Sequence, residues 1–323
     1  MPSELSEKPS VALIGECMIE LREMFDGQLT RGYGGDVLNT AVYMSRLLGE
    51  AADVRFTTVL GDDPFSEEMI AAWRHEGVVC DTVGRKPGSN AGLYFVKTDQ
   101  TGERTFYYWR HHAPARDLMD AQWTELRDLA FRSSWIYLTG ISLAILDDAG
   151  RTALSAALAE AKERGAKIVF DGNYRPSLWS DPQAAKYWYE RFWPLCSLAL
   201  AGAEDEVAVF ADASPEASIE RLHGYGIDEV VVKRGSDAVL VSHGGDVEAI
   251  EAQAVADILD TTAAGDSFNA AYLDGRIRGR DPGAAAAAGA ALAAVVIQHP
   301  GAIIPASAMP VPDIPDHSLR GST

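Results

Sequence analysis

From residue 135 onward the chain alternates short apolar runs with longer amphipathic ones, and this alternation restricts the fold more than any other feature. Residues 135–138, 167–170, 198–201, 229–233 and 238–242 read as strands, and 147–164, 181–192 and 215–225 read as helices. Alternation of this kind gives a mainly parallel sheet covered by helices on both faces. The first half of the chain fits the same plan with one departure. Residues 10–15 are an apolar, partly β-branched run ending in Gly15, the pattern of a buried strand. Residues 38–48 read as a helix, 54–60 as a strand, and 65–75 as a helix stopped at Gly77. Between these, 20–31 is a polar excursion around Gly27 that reads as a hairpin leaving the sheet. Gly34-Gly35 then permits a sharp change of direction.

A second excursion follows. Residues 92–98 and 103–110 are two extended runs joined by a turn at Asp99-Gln100-Thr101-Gly102. Alternation puts Phe106, Tyr108 and Arg110 on one face and Tyr107 and Trp109 on the other. A sheet aromatic on both faces meets more than water: one face packs on a partner chain or covers a ligand. Residues 282–298 form an alanine-rich apolar helix suited to buried packing, and the proline-bearing tail is expected to be loose beyond about Asp313. No internal repeat is found.

The chain of 323 residues, 47% hydrophobic and 23% charged, suffices for one large α/β domain with or without an appendage. No apolar run is long enough to span a membrane, and residues 1–10 lack the apolar stretch of a signal peptide. Cys17, Cys80 and Cys196 form no C-x-x-C, which favours reduced thiols in the cytoplasm over structural zinc. The net charge of −19 disfavours nucleic acid and anionic membranes as partners. An anionic substrate therefore needs locally placed cations.

The chemistry concentrates at Asp260-Thr261-Thr262-Ala263-Ala264-Gly265-Asp266, which runs into the helix-like segment 267–273. Unpaired amides and the dipole make a helix start an anion site. Small residues there let the backbone approach a ligand closely. A carboxylate inside an anion site repels the anion unless it has work to do, and Asp266 sits there. The arrangement suits phosphoryl transfer, with amides holding phosphate charge and the aspartate taking a proton from an attacking hydroxyl. The plainer alternative is an aspartate that only stabilises the helix dipole. A Walker A sequence is absent, so this is no P-loop kinase.

In open α/β sheets ligands lie beyond the carboxyl ends of the strands. Asp171, Asn173 and Arg175 follow one such end, Glu206 another, and Lys233, Arg234 and Gly235 a third. A guanidinium binds carboxylate in a bidentate way that lysine cannot copy. Arg110 and Arg175 offered to one pocket would therefore predict a substrate bearing a carboxylate; otherwise each pairs with a carboxylate of the protein. His111-His112 lacks partners at metal-ligand spacing and reads as surface or lid.

Taken in order, these stretches resemble the PfkB, or ribokinase-like, carbohydrate kinases. Asp260–Asp266 is similar to the family's C-terminal signature and Gly34-Gly35-Asp36-Val37-Leu38-Asn39 to its N-terminal diglycine signature, and the likeness runs from about Val11 to about Pro305. Four stretches resemble the members that act on the sugar acid 2-keto-3-deoxygluconate. They are Gly15-Glu16-Cys17-Met18-Ile19-Glu20-Leu21, Gly102–Arg110, Asp171-Gly172-Asn173-Tyr174-Arg175-Pro176 and Gly301-Ala302-Ile303-Ile304-Pro305. The resemblance implies a ribokinase-like fold over 10–313, with a β lid from about 16–34 and 90–112 and a loose tail at 314–323. It implies an ATP-dependent, Mg²⁺-requiring kinase that phosphorylates the terminal hydroxyl of 2-keto-3-deoxygluconate in the cytoplasm. It leaves a monovalent-cation requirement open.

The resemblance also assigns roles. Asp266 is the base, and Ala263, Ala264 and Gly265 hold the transferring phosphate and the nucleotide. Gly34, Gly35, Asn39, Tyr94, Tyr108, Arg110 and Arg175 contact the sugar acid together with Asp266. Lys233, Gly235 and Ser236 belong to the nucleotide loop. Glu20 stands where many members carry a shorter sugar-binding aspartate. Glu206 keeps the acid of the family's Asn-x-x-Glu near magnesium, but Ala203 replaces the asparagine, so Glu206 is expected to act on Mg²⁺ indirectly. Such lids often supply dimer contacts, which implies a homo-oligomer. The alternatives are a fructokinase or ribokinase-type enzyme for a neutral sugar, and a non-catalytic sensor that keeps the fold. Asp266 argues against the sensor.

Overall fold

A strand with no polar face has to lie inside a sheet, and this chain supplies several. The computed structural model describes residues 8–23, 27–98 and 104–310. Its strands are β1 (Ser10–Ile14), β2 (Met18–Glu23), β3 (Leu29–Gly34), β4 (Asp53–Gly61), β5 (Val83–Lys86), β6 (Leu93–Thr98) and β7 (Arg104–Trp109). There follow β8 (Trp135–Thr139), β9 (Lys167–Asp171), β10 (Leu198–Gly202), β11 (Glu229–Lys233), β12 (Val239–His243) and β13 (Asp246–Ile250). The helices are α1 (Asp36–Leu48), α2 (Pro64–His75), α3 (Thr124–Phe131), α4 (Gly140–Ala144) and α5 (Asp148–Glu163), then α6 (Pro182–Phe192), α7 (Ala203–Phe210), α8 (Pro215–Gly224), α9 (Ala264–Ile277) and α10 (Pro282–Val296).

Among the described residues nine strands form one sheet in the order β13-β12-β11-β10-β9-β8-β1-β4-β5. It is parallel from β11 to β5, and β12 and β13 add an antiparallel edge. Successive residues of a strand point to opposite faces, and the two faces carry separate cores. Leu13, Tyr137 and Val169 face α1, α9 and α10, whereas Ile14, Leu138 and Phe170 face α5 and α6. The order reverses at β1, whose neighbours are β4 on one side and β8 on the other. A crevice opens at the carboxyl ends where strand order reverses.

The two excursions form one separate four-stranded sheet, β3-β2-β6-β7, parallel between β2 and β6 and antiparallel elsewhere. Its faces divide as the alternation requires. Tyr94, Phe106 and Tyr108 stack with ring centroids 5.9–6.4 Å apart, and Tyr107 and Trp109 turn outward, the latter 60% exposed.

Most expected strands and helices form within a residue or two of their ends, the helix read over 267–273 is longer as α9, and five elements escaped the pattern. β5 is a four-residue edge strand and β13 a five-residue edge strand exposed along most of its length, α3 and α7 are eight-residue helices and α4 has five residues, all too short to show a clear period. The stretch 255–259 ahead of the anion loop is a connection without regular structure. The turn at 99–102 and the tail beyond residue 310 lie outside the described residues.

Phe170 shows how the core fixes the cleft. It is fully buried one residue before Asp171 and packs edge-on against Tyr189 and Trp193 at 5.4 and 4.6 Å. Phe170→Ala should lower stability by about 3–5 kcal/mol, read as a reduced urea midpoint with an unchanged slope.

Candidate active site

The carboxyl ends of β1, β8, β9, β10 and β11 open into one cavity of about 1130 Å³. α9 contributes its N-terminus. Its N-cap, Ala263, sits in the left-handed region at φ 61° and offers no side-chain cap. The amides of the first turn thus face the cavity ahead of the helix's own carbonyls. Gly265 adds no side chain there: a Cβ at this position would meet only the Lys233 ammonium, at 3.8 Å. The loop before it is fixed by Asp260, whose carboxylate accepts from the amides of Thr262 at 2.9 Å and Gly301 at 2.8 Å.

Asp266 lies in that first turn. Its Oδ2 accepts from Asn39 Nδ2 at 2.9 Å, and Thr40 Oγ1 donates to its main-chain oxygen at 3.4 Å, so α1 and α9 meet at this residue. Desolvation in the cleft, reinforced by the neighbouring Asp36 carboxylate, pushes the Asp266 carboxyl up to about 8. Asp36 opens α1, and its Oδ2 accepts from Thr139 Oγ1 at 2.7 Å and Asn173 Nδ2 at 2.6 Å. Burial raises its pKa as well. Asn173 is held by a backbone at φ 31°, unusual outside glycine.

A buried polar network backs the cavity. Asp171 Oδ2 accepts from Lys233 Nζ at 3.1 Å and Asn269 Nδ2 at 2.6 Å, and Lys233 Nζ also donates to Asn269 Oδ1 at 3.2 Å. Lys233 thus joins β11 to β9 and α9 beneath the anion loop. Asp205 and Glu204 line the cavity from the start of α7, and burial together with Asp171 raises the Asp205 pKa. Like charges crowded in this way suit a hydrated divalent cation that borrows its remaining ligands from phosphate. No group of three or more potential ligands is preassembled among the described residues.

Each expected residue has a definite place. Gly34, Gly35, Asn39, Tyr94, Tyr108, Arg110, Arg175, Lys233, Gly235, Ser236, Ala263, Ala264, Gly265 and Asp266 all line the cavity. The glycines serve close approach. A Cβ on Gly34 would lie 1.9 Å from Tyr94 Oη, and one on Gly35 2.3 Å from the Glu16 carbonyl oxygen. The Tyr94 hydroxyl donates to Glu20, so Tyr94 lines the wall with its ring while Glu20 turns to Tyr94 and Arg22. Arg175 is exposed and bonds only the Tyr174 carbonyl, at 3.0 Å; it has no ion pair among the described residues. Arg110 is buried and paired with Glu16.

Glu206 stands behind the wall. It is buried against Arg221, with its other oxygen turned toward Gly172, and desolvation raises its carboxyl to about 7. Its neighbours Glu204 and Asp205 are the acids of that segment that reach the cavity. The sequence reading passed over Glu16, Asp36, Thr139, Asp205 and Asn269. Asp36 carried a signal, since it is the residue after the diglycine.

A family model for the pfkB family of carbohydrate kinases matches residues 8–309. The 2-dehydro-3-deoxygluconokinase of Dickeya dadantii (strain 3937) is 44% identical over 307 residues, 93% of this chain and 98% of that protein. A fructokinase of Klebsiella pneumoniae is 30% identical over 269 residues, 81% and 83% of the two chains. The crystal structure of fructokinase with bound ATP from Xylella fastidiosa superposes with a TM-score of 0.78 at 24% identity, covering 94% of this chain and 95% of that one, a likeness of fold.

The cleft geometry makes Lys233 a test of its electrostatics. Lys233→Met should cost about 1–3 kcal/mol by leaving Asp171 and Asn269 short of a partner. The loss should be larger at pH 8.5 than at pH 6. Asp36 and Asp266 have raised folded-state values, so they favour the folded state while protonated and lose that contribution as pH rises. Urea unfolding at the two pH values measures it.

Proposed function

The chain belongs to the pfkB family of carbohydrate kinases, and from this premise we propose that it phosphorylates 2-keto-3-deoxygluconate (2-dehydro-3-deoxygluconate) at its terminal hydroxyl with ATP. The product is the 6-phosphate. The observation that carries the substrate is the pair of guanidiniums, Arg110 and Arg175, in the same cavity as Asp266 and the start of α9. Arg175 makes no ion pair with a carboxylate among the described residues, which matches a substrate that brings one. The identity to the 2-dehydro-3-deoxygluconokinase exceeds that to the fructokinase, in accord with this reading.

The reaction follows from the cleft. Asp266 takes the proton as the terminal hydroxyl oxygen forms its bond to the γ-phosphorus, and the bond to the β-phosphate bridging oxygen breaks. The amides at Ala264 and Gly265, with Lys233 beneath them, hold charge on the transferring group. Asn39 keeps the Asp266 carboxylate turned to the cavity. Gly235, Ser236, Val255, Ala290 and Ala294 line the cavity; the first two would lie along the nucleotide, and the apolar wall of the other three would receive its base. A bound Mg²⁺ supplies charge neutralisation of the phosphates, and Asp171, Asp205 and Glu204 are the residues that would hold it through its waters. Glu206 orders this wall from behind. The outward aromatic face of the small sheet, with Tyr107 and Trp109, is the surface on which a second copy would assemble. Among the described residues no helix is long and apolar enough to cross a membrane, and a cytoplasmic enzyme accords with three free cysteines.

Three measurements test the reading. Asp266→Asn should reduce kcat by about 10²–10⁴ with the fold intact. In the unmodified enzyme kcat/KM should fall as pH drops below about 8, because the base works only when ionised and its carboxyl is raised to that value. A variant with near-normal turnover removes Asp266 from the mechanism. Arg175→Ala should lower kcat/KM on 2-keto-3-deoxygluconate by about 10–100-fold. The effect should be small on 3-deoxyfructose, which carries a hydroxymethyl group in place of the carboxylate. Equal losses on both would return the assignment to a neutral sugar.

A further inference from the structure

Glu16 follows β1 at the point where the strand order reverses, and its side chain is 3% exposed, with no counterpart in the roles assigned above. One oxygen, Oε2, accepts from Arg110 Nη2. The other, Oε1, is enclosed and has no hydrogen-bond partner among the described residues. A buried carboxylate costs free energy unless it is paired and hydrogen-bonded, so a half-paired one at a cavity wall marks a function.

Arg110 explains it. The residue is 7% exposed, and its guanidinium lies over the Tyr108 ring at 5.7 Å and spends a single donor on Glu16 among the described residues. The remaining N–H groups are not sealed in the protein, and the residue lines the cavity. A long cationic side chain with several rotamers has been fixed at one corner by a carboxylate and on one side by a ring, leaving its other edge to the cavity. Gly92 keeps the space for this arrangement: a Cβ there would stand 3.2 Å from Glu16 Oε1. The lid and the sheet meet here, since Arg110 follows β7 and Glu16 follows β1.

We propose that Glu16 is a positioning residue that fixes Arg110 to read the substrate's carboxylate and so sets the enzyme's preference for acid over neutral sugars. The proposal rests on the reading of Arg110 given above. Glu16 does no proton transfer in it. Its effect runs through Arg110 alone, so it vanishes when Arg110 is absent and leaves the nucleotide side untouched.

The experiment is a double-mutant cycle between Glu16→Gln and Arg110→Ala, with kcat/KM measured on 2-keto-3-deoxygluconate and on 3-deoxyfructose and the KM for ATP alongside. Glu16→Asp is a second probe, because it keeps the charge but withdraws it by one methylene. Expected are a loss of about 10–100-fold on the sugar acid and about 3-fold or less on the neutral analogue, with an unchanged KM for ATP. Glu16→Asp should show the same selective loss, and Glu16→Gln should add less than about 3-fold in the Arg110→Ala background. Equal losses on both substrates, or a Glu16→Gln effect undiminished without Arg110, would overturn the proposal and make Glu16 a purely structural acid. If Arg110→Ala itself loses equally on both substrates, the carboxylate-reading role of Arg110 fails, and this proposal fails with it. A selective Arg110→Ala beside a non-selective Glu16→Gln rejects the positioning role alone.

Discussion

Carboxylate repulsion is the constraint around which the cleft is arranged. Asp36, Asp171, Asp205 and Asp266 face one cavity. Left to themselves they would drive apart the strand ends and helix starts that carry them. Three of them are instead tied by side chains: Asp36 by Thr139 and Asn173, Asp171 by Lys233 and Asn269, and Asp266 by Asn39. The residual strain appears as raised proton affinities of Asp36, Asp205 and Asp266. Such a site is preorganised for cationic charge and for proton uptake, and the folding of the sheet provides the leverage to keep it so.

The lid solves a different problem. A flat crevice at the ends of parallel strands gives little enclosure to a small polar sugar acid. The four-stranded sheet adds a wall of Tyr94, Phe106 and Tyr108, and two tight approaches shape it, one between its own strands β3 and β6 and one at its root beside β1. Gly34 admits the Tyr94 hydroxyl and Gly35 admits the Glu16 carbonyl. A further tie runs from Arg31 and Tyr33 on β3 to Glu68 on α2. These contacts place the lid where substrate would meet it without joining the two sheets into one.

The legibility of the chain followed the physics of each part. Buried parallel strands and their helices announce themselves by apolar runs and caps, so β1, β4, β8–β11, α5, α6 and α10 were readable. Edge strands such as β5 and β13 answer to one neighbour and run only four or five residues, so they were silent. The anion loop was readable because small residues, a helix start and an aspartate coincide there. Thr139 and Asn269 were not, because their work depends on partners more than a hundred positions away: Thr139 meets Asp36, and Asn269 meets Tyr137. Arg110 is the instructive case. Its residue type pointed to an anionic ligand, and the fold supplied Glu16 as a first partner without closing off the rest of the guanidinium.

The bond from Asn39 to Asp266 spans 227 positions, and this separation bears on how the enzyme comes into being. Contacts so far apart in the chain close late and slowly, because loop closure must precede any reward from them. As the chain leaves the ribosome, the lid, β1 and α1 emerge long before α9. Until α9 docks, Asn39 and Thr40 lack their partner and the sugar-binding wall stands without a phosphate site. α10 packs directly on α9, where Gly289 leaves room for Phe268. Capacity for phosphoryl transfer is therefore a property of the completed fold, and its recovery during refolding would time the docking of that final helical pair.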